Sequence, residues 1–148
     1  MNIASATAIA TASVAILLAI VTWREWATNR ARLRHELFER RYAVYERIAA
    51  SLALVLRDGR VPQGEPEGFL RATKTAYFVF GSDLSVKAFV SEVYRKALEL
   101  HALEVTLDPL RGEERSKNIE DQRVIKDWFM DSLNSLEARF DKYLSLKH

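Results

Sequence analysis

The hydrophobic and polar positions of this chain change their pattern twice. Residues 3–23 form a run of 21 with no charge, no proline and no glycine. At about 1.5 Å per residue a helix of that length covers roughly 30 Å, the thickness of a bilayer's hydrocarbon core. Residues 24–37 are mixed, arginine-rich and poorly periodic. From Phe38 the apolar positions fall into register. Phe38, Tyr42, Tyr45, Ala49, Leu52 and Leu56 are spaced 4, 3, 4, 3 and 4, one stripe of a helix that must bury against something. No glycine or proline precedes Gly59, so a single helix is predicted over residues 3–57.

Asp58-Gly59 ends that helix, and residues 61–66 are a connector rich in proline and glycine. A short helix is predicted over residues 67–80, with an aromatic end at Tyr77, Phe78 and Phe80. Residues 77–80 could pass for a buried strand, but the pattern offers no partner strand. Gly81 is the expected C-cap, and Ser82 or Asp83 the N-cap of the next helix. That helix carries Val86, Phe89, Val90, Val93, Ala97 and Leu100 and stops before Asp108-Pro109. After Gly112 a last helix runs to about Leu144 on the stripe Ile125, Phe129, Ser132, Leu136, Phe140 and Tyr143.

The predicted fold is therefore all-α: an N-terminal transmembrane helix continuing into an antiparallel bundle of three long helices and one short helix. Phe38, Tyr45, Leu52, Phe89, Val93, Phe129, Leu136 and Phe140 are expected to face one another in its core. The domains read as a transmembrane anchor (1–23), a basic juxtamembrane stalk (24–37) and a helical bundle (38–148).

The anchor's large aliphatics gather late, in Val14, Ile16, Leu17, Leu18, Ile20 and Val21, each favouring insertion by about 0.3–0.6 kcal/mol near the bilayer centre. Ser5, Thr7, Thr11 and Ser13 are tolerable there, because hydroxyls bond back to helix carbonyls one turn earlier. A cleaved signal peptide would need a basic start, which Met1-Asn2 does not supply. It would also need a small-x-small site, where Trp23, Arg24, Glu25 and Trp26 stand instead. A buried core helix of this length would keep a polar face.

Trp23 and Trp26 suit the headgroup boundary. Arg24, Arg30, Arg32 and Arg34 follow the span while no basic side chain precedes it, which places the C-terminal domain in the cytoplasm. The expected membrane-interface residues are Trp23, Arg24, Trp26, Arg30, Arg32 and Arg34. Arg30, Arg34 and Arg41 also project within about 40° of one another at 100° per residue, as a basic ridge. Lipid attraction of about 1 kcal/mol per residue applies only to its first members; alternatively these arginines merely set topology. Ala4, Ala8 and Ala12 make a small-xxx-small stripe that could bring two spans together, although an alanine-rich segment produces such stripes by composition.

With 22 basic and 20 acidic side chains, the chain shows no nucleic-acid-binding surface. The absence of cysteine fits a cytoplasmic domain and removes thiol chemistry. His35-Glu36 begins like a zinc-protease helix but lacks the second histidine four residues on. His35, His101 and His148 are too far apart in sequence to suggest a ligand set. Phosphate-binding, dinucleotide and nucleophile-elbow motifs are missing from a chain with five glycines. No enzymatic activity, cofactor, metal or small-molecule substrate is expected.

The run Leu37-Phe38-Glu39-Arg40-Arg41-Tyr42-Ala43-Val44-Tyr45-Glu46, followed by Phe78-Val79-Phe80-Gly81 and Trp128-Phe129, resembles an uncharacterised family of small bacterial single-span membrane proteins with a cytoplasmic helical domain. The resemblance would cover most of the chain after Arg30. It implies an architecture at the bacterial inner membrane, with the C-terminal domain cytoplasmic, and it carries no activity with it. The function expected is a membrane-anchored interaction module, a tether, scaffold or non-catalytic subunit. Its partners are the lipid bilayer and another protein or a second copy. The alternative is a phage or mobile-element envelope protein, a lysis accessory or defence component that perturbs the membrane.

Overall fold

A computed structural model describes residues 3–81 and 83–145, with backbone only for 3–10. The described residues are all-helical, with no strand: α1 (Ile3–Asp58), α2 (Glu65–Thr73), α3 (Ala76–Val79), α4 (Leu84–Thr106), α5 (Gly112–Asn134) and α6 (Leu136–Leu144). The chain separates into two compact units, Met1–Leu37 and Phe38–His148.

In the first unit, described side chains from Thr11 to His35 are all exposed. Thr22 and Thr28 turn their hydroxyls back to the carbonyls of Leu18 and Arg24, each at 2.9 Å, as hydroxyls in an apolar helix must. Among the described residues no helix is long and apolar enough to cross a membrane. The expected span begins earlier: Met1 and Asn2, and the side chains of 3–10, lie outside the described residues. Ala4, Ala8, Ser5 and Thr7 are among them.

The second unit has its own core. Its α1 face is Val44, Ile48, Leu52 and Val55, all at most 2% exposed. The aromatic stripe expected there is thus displaced by about one position. Leu52 is buried as expected, and Tyr45, Ala49 and Leu56 flank the core half-buried. Tyr42 is 42% exposed, and Phe38, half-exposed, stacks on Tyr42 rather than on the core. The two stripes lie on adjoining faces of one helix. The compact, branched aliphatics took the inner one, while the tyrosines sit where their hydroxyls reach water. The remaining predicted core positions, Phe89, Val93, Phe129, Leu136 and Phe140, are all buried.

Contacts between the helices fix their directions. Arg41, near the start of this unit, bonds Val79 just before α4, while Val61, after α1 ends, donates its N–H to Glu104 near the end of α4. Hence α4 runs with the α1 segment 38–58. Asn118 in early α5 donates to the Leu103 carbonyl in late α4 at 3.1 Å, and Trp128 further on meets Phe89 in early α4. Hence α5 runs against α4.

Two predicted helices are each broken once. Residues 67–80 divide into α2 and the single turn α3, with Thr73 bonding back to the Phe69 carbonyl at 2.8 Å before the break. The last helix breaks at Ser135, whose φ of −92° and ψ of −2° interrupt the α geometry. Its hydroxyl donates to the Ser132 carbonyl at 3.4 Å and accepts from Arg139 Nε at 3.2 Å. This is local competition of a serine side chain with the helix ladder. Gly81, at φ +58°, ends the α3 turn in a conformation that side-chain-bearing residues rarely adopt. Asp83 caps α4, accepting from the Ser85 N–H at 2.8 Å; Ser82, the other expected cap, lies outside the described residues.

This packing ranks substitutions on α1. Ile48→Ala should cost about 2–5 kcal/mol and Phe129→Ala about 3–5 kcal/mol, whereas Tyr42→Ala should cost about 1–2 kcal/mol, the worth of its exposed ring contacts with Phe38 and Tyr45. Denaturant titrations of the purified chain check the order. Equal losses at Ile48 and Tyr42 would restore the aromatic stripe as the buried face.

Candidate interaction surfaces

The six expected membrane-interface residues all lie on α1 and all are exposed. Trp23 is 67% and Trp26 57% exposed, an unusual cost for indoles surrounded by water on every side. One pair is brought together. The Arg30 guanidinium lies over the Trp26 ring, 5.2 Å from its centroid, a cation–π contact one helical turn apart. Arg32 pairs with Glu36 at 3.3 Å. A shallow surface depression runs past Val21, Arg24, Thr28 and Arg32. These groups lie along one helix and make no convergent chemical site.

Arg41 departs from the expected ridge. It is half-buried, and its Nε donates to the Val79 carbonyl at 2.9 Å. Its guanidinium lies 5.9 Å from the Phe80 ring centroid and 5.6 Å from that of Tyr143. The carbonyl it satisfies lies at the end of the short α3 turn, where helices leave acceptors unpaired. Arg41 is therefore a clamp within the second unit.

Beside it lies the densest polar cluster of that unit. Asp83 accepts from Lys142 Nζ at 2.7 Å, from the Ser85 hydroxyl at 2.6 Å, and from the Tyr143 phenol. The Lys142 ammonium first, then the Ser85 hydroxyl, the Tyr143 phenol and the Ser85 N–H, hold the Asp83 carboxyl well below the ordinary carboxylate range. In return Asp83 raises the Lys142 ammonium. One carboxylate thus caps α4 and ties it to α6.

Two further polar groupings join helices. Glu65, at the start of α2, accepts from Arg47 at 2.7 Å and from the Ser51 hydroxyl at 2.5 Å. Buried Gln122 donates to buried Asn118 at 2.8 Å, and Asn118 in turn donates to α4. The hydrogen bonds in both tie one segment of the fold to another. A groove of about 470 Å³ is lined by Asp58, Arg60, Val61, Pro62, His101 and Glu104, and there the Val61 N–H is shared between the two Glu104 oxygens at 3.2 Å each. Among the described residues no group of three or more histidines and carboxylates could hold a metal ion.

The sequence pattern did not reveal these clusters. Arg41 lay in an exposed-looking charged run, and Asp83 and Lys142 are 59 residues apart. The capping role of Asp83 was the one local signal. No family model, no curated protein and no solved structure matches the chain.

The lowered carboxyl of Asp83 sets a pH dependence. A depressed folded value means that Asp83 stabilises fully above its ordinary value of 3.8. That contribution is lost progressively as pH falls toward the lower folded value. Asp83→Asn keeps a capping oxygen but removes the charge. The variant's melting temperature should therefore fall less steeply than wild type on acidification below about pH 5. Parallel acid limbs would show that the cluster contributes no charge-dependent stability.

Proposed function

We propose that this chain is a single-pass, membrane-anchored helical interaction module at the cytoplasmic face of the inner membrane, a tether, scaffold or non-catalytic subunit acting by protein contact. One observation carries the reading. An uncharged 21-residue run ends on Trp23 and is followed by Arg24, Trp26, Arg30, Arg32 and Arg34, and the large aliphatic side chains described in that run are left exposed. Val14, Ile16, Leu17, Leu18, Ile20 and Val21 are 49–62% exposed, and water is a poor solvent for such a surface at about 25 cal/mol per Å². A bilayer removes that cost. The arginines after the run favour the cytoplasmic side.

The second unit supports a contact role over a chemical one. Its strong polar groups are committed to helix ends and helix–helix ties, and the lipid bilayer and another protein, or a second copy, are the partners proposed. The family resemblance of residues 37–46 points to the same architecture.

Reporter fusions after His148 test the topology. A fluorescent protein that matures only in the cytoplasm should be active there, and alkaline phosphatase should be silent. High phosphatase activity would reverse the orientation, and would favour an envelope protein of the lysis type with an exported domain.

A further inference from the structure

The α3–α4 corner presents a surface that the fold does not need. α3 buries Ala76 and Val79, and Phe80 follows them into the core. Its other face carries Tyr77 and Phe78, and Leu84 stands at the first position of α4. Phe78 is 82% and Leu84 73% exposed, more than any other described large hydrophobic side chain, and Tyr77 is 56% exposed. A four-residue helix with apolar groups on both faces bears a hydration cost on the outer one.

Charge indicates what would cover it. The Lys87 ammonium lies over the Tyr77 ring, 5.1 Å from its centroid, and Lys74 is exposed one turn before Phe78. Next to the corner, a groove of about 330 Å³ is lined by Ser85, Phe89, Arg139, Asp141 and Lys142. Lys142 is paired with Asp83 and the Arg139 guanidinium lies over the Phe89 ring, so Lys74 and Lys87 are the cations that stand beside the apolar tips. Apolar tips flanked by lysines match the layering of a membrane surface, acyl chains beneath anionic headgroups. Arg41 and the Asp83 cluster hold the corner's backbone from behind, so the apolar tips are presented on a fixed support.

We infer that the α3–α4 corner is a second membrane contact, in which Phe78, Leu84 and Tyr77 enter the headgroup boundary of an anionic bilayer and Lys74 and Lys87 engage its phosphates. The inference builds on the proposed anchor, which keeps the domain tethered to the same bilayer by residues 24–37.

The chain has no cysteine, so a single introduced thiol can carry an environment-sensitive fluorophore. The full chain is reconstituted into vesicles of phosphatidylcholine alone, or of phosphatidylcholine and phosphatidylglycerol in equal parts. Label at Phe78→Cys, and separately at Leu84→Cys, should blue-shift in the anionic vesicles and stay water-like in the neutral ones. Label at Met130→Cys on α5 should stay water-like in both. Lys74→Gln and Lys87→Gln should each lower the docked-to-undocked ratio about fivefold, the equivalent of about 1 kcal/mol per lysine. Label at Ala19→Cys reports the anchor separately. Lipid-buried label at 19 with water-like label at 78 and 84 would overturn the corner contact and leave the anchor standing. Water-like label at 19 with shifted label at 78 would do the reverse. A shift at 78 seen in native membranes and absent from pure lipid would mean that the corner docks on a protein, and would also overturn the inference.

Discussion

The aromatic junction around Phe140 decides how the described residues of 38–145 are arranged, because α1, the end of the α3 turn and α6 meet there. Phe140 is fully buried, and its ring lies 5.6 Å from Tyr45 on α1 and 5.5 Å from Phe80 after α3, both edge-on. Tyr143 closes the set, 5.0 Å from Phe80. Each such pair adds about 0.5–1.5 kcal/mol beyond burial, and the edge-to-face geometry restricts how the helices can rotate. The polar ties follow from it. With Phe80 and Tyr143 in place, the Arg41 guanidinium finds two ring faces and the Val79 carbonyl, and the Tyr143 phenol is aimed at Asp83. The corner beyond Phe80 is then fixed with Tyr77 and Phe78 facing outward.

Much of this was legible in the sequence, for physical reasons that also explain what was not. Helix existence followed from long 4-3 spacings, and α4 ended where Asp108-Pro109 required. Phe129, Leu136 and Phe140 were identified as core because each had apolar neighbours one turn away on both sides. On α1 two apolar stripes adjoin, and spacing alone does not choose between the aromatic one and Val44, Ile48, Leu52 and Val55. Packing does, since branched aliphatics fill an interior face without a hydroxyl to satisfy. The break at Ser135 was hidden for a similar reason. A serine in a helix is ordinary until its hydroxyl, a neighbouring carbonyl and an arginine one turn on settle into one local network.

Site chemistry was less legible. The tryptophans and arginines at the end of the apolar run could be named in advance because their meaning depends on position relative to that run, which is a sequence property. The Asp83 cluster depends on α6 returning to the start of α4, which is a tertiary property. Arg41 illustrates the difference most clearly. Helical projection put it on a ridge with Arg30 and Arg34, and tertiary structure drew it inward to a carbonyl that the α3 turn had left unpaired.

One helix, α1, thus carries two kinds of surface: an apolar run whose described large aliphatics are exposed, and a stripe of four aliphatics that are buried. We propose that a bilayer is the partner of the first. Membrane extraction measures this directly. The full chain, expressed in cells and fractionated, should remain with the membranes through high salt and alkaline carbonate and come off only in detergent. A version beginning at Arg24 should be released by the salt wash. Release of the full chain by carbonate would contradict the account, because an inserted helix of that length does not leave the bilayer without detergent.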